Sequence, residues 1–310
     1  ILSAVLKINF AAVFFAQYPG MGKDLYAKNT AAKLIFKTAD SIRPNTSNQC
    51  FNGTKDELSE TINTQPCVFC VDLAAAECLK SLGIIPSAVA GFSLGETAAL
   101  TFSGVFSLES GFNFVLKRAE FMQRAAENNP GAMAAVLKLS AETVEKLCSS
   151  YEKAYPVNYN CKGQTVVALS KNELEPFCQK VKESGGRAVP LAVSGGFHSP
   201  FMDEAAEKLY KELKKIKINK PNIPIYANLT SEPYGENIAL TVSKQVNHPV
   251  YWEKTINNMI KDGINTFIEV GPGKTLCGLI RKISPQVKMY NVETFSDVEN
   301  VINELGGKIC

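Results

Sequence analysis

The chain has 310 residues, 45% hydrophobic and 20% charged, an ordinary globular composition that excludes a disordered tail, a collagen and a disulfide-stapled miniprotein. Lys plus Arg number 33 against 30 Asp plus Glu, a net charge of +3, too slight a bias to argue nucleic-acid binding. At ~150 residues per domain the length fits about two domains, or one discontinuous domain carrying an insertion, and no apolar run reaches the ~20 residues that a membrane-spanning helix needs.

Lys7 and Asn9 interrupt the apolar opening over 1–16, and no basic leader precedes it. It therefore reads as a buried strand over 7–15 rather than a signal peptide. The run 66–82 reads as a helix, with Pro66 in its first turn and Gly83 at its stop. Cys67 and Cys70 form a C-x-x-C inside that run, with no second pair or nearby His to complete a zinc site. All nine cysteines read as buried free thiols of a protein in a reducing cytosol. A short strand over 87–91 precedes a helix over 94–102, and Ser107 caps a long helix reaching about 127.

Beyond Asn128-Asn129-Pro130-Gly131 the pattern changes. A strand at 132–139, a helix at 141–151 capped by Ser140, strands at 156–160 and 165–170, a helix at 172–184 and a strand at 187–191 give the order β-α-β-β-α-β, that of a ferredoxin-like unit. From 193 the α/β alternation resumes, with strands at 223–228 and 266–270 and helices at 251–262, 275–282 and 297–305. The expected division is a large subdomain over 1–128 and 194–310 and a small inserted one over 129–193. The fold class is α/β with a mostly parallel sheet.

The sharpest local signal is Gly91-Phe92-Ser93-Leu94-Gly95-Glu96, a G-x-S-x-G between a strand and a helix. That context is what a nucleophile elbow requires: the tight turn needs very small residues two either side of the Ser, and the hydroxyl then faces the N–H groups of a helix start. The alternative is a plain strand-to-helix turn with Ser93 as N-cap. A serine nucleophile needs a base, and the chain has two histidines. His198 leaves a strand through Gly195-Gly196, in a loop suited to displaying a base. His248 precedes Pro249 and reads as a surface or capping residue. Arg118, on an otherwise apolar helix, is a candidate clamp for a substrate carboxylate, or else a partner of Glu120. An α/β-hydrolase would place an acid between Ser and a His near the C-terminus; here the inserted unit lies between them and a long α/β stretch follows, which does not suit a lipase.

Taken together, the segments resemble the malonyl-CoA:acyl carrier protein transacylase family of type II fatty-acid synthesis. The resemblance runs in order through Gly20-Met21-Gly22-Lys23, Asn63-Thr64-Gln65-Pro66, Gly91-Phe92-Ser93-Leu94-Gly95-Glu96, Lys117-Arg118-Ala119, Gly131-Ala132-Met133, Asn158-Tyr159-Asn160, Phe197-His198-Ser199-Pro200, Asn247-His248-Pro249 and Glu269-Val270-Gly271-Pro272-Gly273-Lys274. It implies a hydrolase-like α/β core with a ferredoxin-like insertion. It also implies Ser93 as acylated nucleophile, His198 as base oriented by the Gln245 backbone carbonyl, and Arg118 as holder of the malonyl carboxylate. Gln65 would line the pocket, Phe197 matches the malonyl-selecting form of its loop, and Leu94 would give one oxyanion N–H. Two positions depart from the family. Phe92 replaces its usual His. The first loop, Gly-Gln-Gly-x-Gln in the family, here runs from Phe14-Phe15-Ala16 straight to Gln17, so that Gln17 must replace a missing oxyanion donor or the enzyme is weakened by roughly 10²–10³ in kcat.

The expected reaction moves malonyl from coenzyme A to the phosphopantetheine thiol of acyl carrier protein, with no metal or redox cofactor, by a cytoplasmic monomer. Activity is expected to fall as pH drops through ~6 to 7 and His198 is protonated. A polyketide-pathway acyltransferase, a thioesterase or esterase with the same Ser-His pair, and a non-catalytic carrier-binding module are the competing expectations.

Overall fold

A computed structural model describes residues 4–8, 17–193 and 195–305. In chain order the elements are β1 (Ala4–Ile8), α1 (Lys23–Lys28), α2 (Thr30–Ile42), α3 (Thr46–Asn52), α4 (Lys55–Ser59), α5 (Thr61–Ser81), β2 (Ala88–Gly91), α6 (Leu94–Phe102) and α7 (Leu108–Asn128). Next come β3 (Gly131–Leu137), α8 (Ala141–Cys148), β4 (Ala154–Cys161), β5 (Gln164–Ser170), α9 (Leu174–Glu183) and β6 (Arg187–Pro190). The chain closes with α10 (Asp203–Leu213), β7 (Ile225–Tyr226), α11 (Ile238–Lys244), α12 (Trp252–Lys261), β8 (Thr266–Val270), α13 (Thr275–Ile283), β9 (Lys288–Val292) and α14 (Phe295–Leu305).

Two sheets organise this α/β fold. One runs β7-β2-β1-β8-β9 with every pairing parallel. Its register sets Ile8 beside both Gly91 and Val270, so β1, β2 and β8 finish level, and the loops that leave β2 and β8 share one edge. Crevices outside the carboxyl ends of parallel strands are where such sheets bind ligands. The other sheet runs β4-β5-β3-β6, all antiparallel, and carries α8 and α9. Val136, Val144, Val167, Phe177 and Val181 form a hydrophobic cluster there, separate from the main core.

α5 is the hub of the main core. It is buried on nearly all sides from Thr64 to Leu79, as a helix enclosed by other elements must be. Its predicted start needs correction. The helix starts at Thr61, so Pro66 lies inside it rather than in its first turn. α1 to α4, absent from the predicted elements, pack ahead of it. Cys67 and Cys70 are free and buried along it, and burial raises the Cys70 thiol. Cys178 and Cys277 are only half-buried, so not every cysteine is a core residue.

Other boundaries also differ. β1 ends at Ile8, so the expected strand over 7–15 is met only at its start, and the rest of that stretch, with the first loop as far as Ala16, lies outside the described residues. β9, at the edge of the parallel sheet, was not foreseen: its KMYNV sequence is only partly buried and shows no long apolar run.

Candidate active site

The end of β2 delivers Ser93. A Cβ on Gly91 would lie 1.9 Å from the Gly95 carbonyl carbon, so strand and helix can join this tightly only with glycine at that place. Ser93 itself takes φ 55°, ψ −109°, a conformation that costs a non-glycine residue about 1–3 kcal/mol and that marks a held site. Its side chain makes no cap bond to α6. Instead Oγ lies 2.7 Å from His198 Nε2.

His198 arrives from beyond the antiparallel sheet, in the turn that precedes a 3-10 segment at Pro200–Met202. It too has a positive φ, 61°, pinned by its N–H donating to the Val246 carbonyl at 2.9 Å. Ser199 braces the turn by donating to the Gly196 carbonyl at 2.5 Å. The imidazole Nδ1–H donates to the Gln245 carbonyl at 2.8 Å. A carbonyl can only accept, so this bond fixes the tautomer and leaves Nε2 free to accept the serine proton.

Arg118 projects from α7 and is almost wholly buried. Nη1 donates to Gln65 Oε1 at 2.7 Å, and Nη2 donates to Gln245 Oε1 at 3.0 Å and to Ser93 Oγ at 3.1 Å. Burial lowers the guanidinium to about 10, partly offset by Glu96, so it remains a cation at neutral pH. Burial, then the Arg118 charge, lowers His198 from 6.5 to about 4, although the Gln245 carbonyl opposes this. The expected loss of activity through pH ~6 to 7 is therefore corrected: the base stays neutral well below that range.

These groups open on a cavity of about 640 Å³ walled by Gln17, Gln65, Ser93, Arg118, Met122 and Phe197. Among the described residues the Leu94 N–H, at the first position of α6, donates to no carbonyl, whereas Gly95 N–H bonds Phe92 and Glu96 N–H bonds Ser93. Gln17 is buried at the cavity wall with its Oε1 unpartnered among the described residues. Phe92 fills the family's His position by packing edge-on against buried Trp252, ring centroids 5.4 Å apart. His248 stands apart, with Nδ1–H shared between the Lys244 carbonyl and Asn247 Oδ1 near the end of α11.

Sequence reasoning missed three residues behind the serine. Asn228 follows β7; its Oδ1 accepts from the Ser93 N–H at 2.7 Å and its Nδ2 donates to the Gly91 carbonyl at 2.6 Å. Glu96 Oε1 accepts from the Asn228 N–H at 2.9 Å and from the Tyr234 hydroxyl at 2.8 Å. In the sequence Glu96 stands only as the last residue of the Gly91-to-Glu96 motif. No local signal marked Asn228 or Tyr234.

A strained serine paired with an imidazole beside a buried guanidinium suits acyl transfer, and the chain belongs to the acyl transferase domain family, which it matches over residues 16–296. Among curated relatives, the malonyl CoA-acyl carrier protein transacylase of Bacillus subtilis (strain 168) is 37% identical over 298 residues, covering 94% of each chain. The protein of the same name from Staphylococcus aureus (strain MRSA252) is 34% identical over 292 residues, 92% of this chain and 94% of that one. The crystal structure of the Clostridium perfringens malonyl CoA-acyl carrier protein transacylase superposes with a TM-score of 0.93 at 36% identity, covering 98% of this chain and 97% of that one. A second solved structure, a type II polyketide acyl-carrier protein in complex with its malonyl-transacylase, has a TM-score of 0.92 at 27% identity over 97% of this chain and 99% of that one.

Proposed function

We propose that this chain is a malonyl-CoA:acyl carrier protein transacylase that supplies malonyl groups for fatty-acid biosynthesis. The single observation that carries the reading is the 2.7 Å contact between Ser93 Oγ and His198 Nε2 with the buried Arg118 guanidinium alongside, in a chain 37% identical to a malonyl transacylase over nearly its whole length.

The reaction is a ping-pong transfer. Neutral His198 takes the Ser93 proton while Oγ attacks the malonyl thioester carbonyl. The oxyanion meets the Leu94 N–H, which donates to no carbonyl among the described residues, with Gln17 at the cavity wall. The thioester carbon–sulfur bond then breaks, and coenzyme A leaves with the proton from the imidazolium. The phosphopantetheine thiol of acyl carrier protein attacks the malonyl-Ser93 ester, His198 again acting as base, and Ser93 is regenerated. Arg118 pairs with the free malonyl carboxylate, displacing its present contacts with Gln65 and Gln245. Phe197 closes the wall against larger acyl groups. A thioester is already activated, so the reaction calls for no metal or redox cofactor.

In this reading the parallel sheet is a hydrolase-like core over 1–128 and 194–310, and the antiparallel sheet is a ferredoxin-like insertion over 129–193. The strand order β4-β5-β3-β6 supports the latter. The enzyme works as a cytoplasmic monomer; among the described residues no helix is long and apolar enough to cross a membrane.

Incubation with malonyl-CoA followed by intact-mass measurement tests the proposal. A malonyl adduct on Ser93 that passes to holo-acyl carrier protein supports it. Release of free malonate without an acceptor indicates a thioesterase, and the absence of any adduct indicates a carrier-binding module; either result overturns it.

A further inference from the structure

The backbone of Ser93 is held from outside its own turn. Its N–H donates to Asn228 Oδ1 at 2.7 Å, and its carbonyl accepts from Gln245 Nε2 at 2.5 Å. Asn228 Nδ2 also donates to the Gly91 carbonyl, so one carboxamide bridges the residues on either side of Phe92. Asn228 is completely buried, as is Ala227 just before it, and its own N–H is tied to Glu96 on α6. A turn at φ 55°, ψ −109° persists only when its surroundings over-determine it. The bonds made by Asn228 do this at the two points where the turn would relax, the end of β2 and the nucleophile's own N–H. They also keep that N–H from competing with Leu94 for the oxyanion, so the donor aimed at the reacting carbonyl is the one next along.

We infer that Asn228 is a positioning residue for acyl transfer: its side-chain amide holds the Ser93 turn at the geometry in which Oγ meets His198 Nε2 and the Leu94 N–H is left for the reacting carbonyl. This rests on the reading of Ser93 as the acylated group. Asn228 is buried and does not line the cavity, so its loss acts on the rate of attack and not on substrate affinity. Relaxation of the turn by an ångström costs about 10² in rate.

The test uses Asn228→Ala and Asn228→Ser, the second admitting water where the amide was, with folded protein counted by circular dichroism and thermal melting. Two rates are measured per folded molecule. One is malonylation of Ser93 by malonyl-CoA in a single turnover. The other is phosphonylation of Ser93 by a fluorophosphonate, in which Oγ bonds to phosphorus, fluoride leaves and the serine proton passes to His198. The expected result is a loss of roughly 30- to 100-fold in both maximal rates, with the half-saturating malonyl-CoA concentration within about threefold of the parent. If the parent chain reacts with the fluorophosphonate but not with malonyl-CoA, the proposed function fails while the positioning role is still decided by the second rate. Rates within threefold of the parent, a loss confined to half-saturation, or failure of both variants to fold assign Asn228 to structure or binding and overturn the inference.

Discussion

Replacing Arg118 with alanine separates a carboxylate clamp from a structural cation. The guanidinium is buried and now spends its hydrogen bonds on Gln65 at 2.7 Å, Gln245 at 3.0 Å and Ser93 Oγ at 3.1 Å. When malonyl binds, its carboxylate replaces neutral partners with a charged one in a water-poor cavity. Removing one member of such a buried charged pair costs about 3–5 kcal/mol, and at ~1.4 kcal/mol per tenfold that is a loss of roughly 10² to 4 × 10³ in kcat/KM for malonyl-CoA. Acetyl-CoA has no carboxylate and leaves the buried cation without its anion, so it gains from the same change or is untouched. The assay is the ratio of kcat/KM for malonyl-CoA to that for acetyl-CoA, measured by mass spectrometry of acylated carrier protein. The ratio is expected to fall by at least 10². Because Arg118 also touches Ser93, a general loss of activity alone does not count for the clamp. An equal loss on both substrates refutes it and makes Arg118 a brace for the nucleophile.

Two further outcomes follow from the burial of charge around the site. With His198 lowered to about 4, single-turnover malonylation should stay level from pH ~8 to ~5 and reach half its maximum near pH 4; a half-maximum near 6.5 would show the imidazole to be solvated and the cavity open. Burial raises Glu96 from 4.5 to about 7, so the folded chain holds that proton more tightly than the unfolded one, and the stability this gives is complete below pH 4.5 and is lost as pH rises through 7. At ~1.4 kcal/mol per unit the loss is about 3 kcal/mol. Urea melts of Glu96→Gln against the parent should therefore show a stability difference that shifts by about that amount in favour of the variant between pH 4.5 and 7, and a constant difference refutes the burial argument.

What the sequence discloses about the site depends on how far each contact reaches. The turn at Gly91, Ser93 and Gly95 is a local event, legible because steric demand falls on residues two apart. His198 is legible because histidines are scarce and this one sits after a Gly-Gly loop. Gln245 and Asn228 meet Ser93 across 152 and 135 residues, and neither an amide after a short helix nor one at a strand end advertises a long-range partner. Among the elements, α6 and α7 are read almost to the residue because Ser107 and the turn at Ser93 mark their starts. α5 is misread at its start because it is buried all round and shows no amphipathic period to outweigh Pro66. The shift of His198 is likewise invisible in sequence, since it depends on Arg118 being brought beside it by folding.

The choice of a carbonyl rather than a carboxylate behind His198 follows from that same neighbour. Gln245 presents its backbone oxygen to the imidazole at 2.8 Å and its side-chain oxygen to Arg118 at 3.0 Å. An aspartate there would stabilise the imidazolium, as in a serine protease, but it would also sit against the guanidinium and occupy the charge that the malonyl carboxylate requires. A neutral amide orients the ring and leaves the cation unpaired by any acid in contact; Glu96, the acid that offsets it, sits behind the serine and is itself raised to about 7 by burial. The consequence is a weak base, lowered to about 4. A weak base suffices in this reading because the thioester carbonyl is already activated toward attack. In the proposed reaction, selectivity for a carboxylated thioester and the neutral carbonyl behind His198 are thus one electrostatic arrangement.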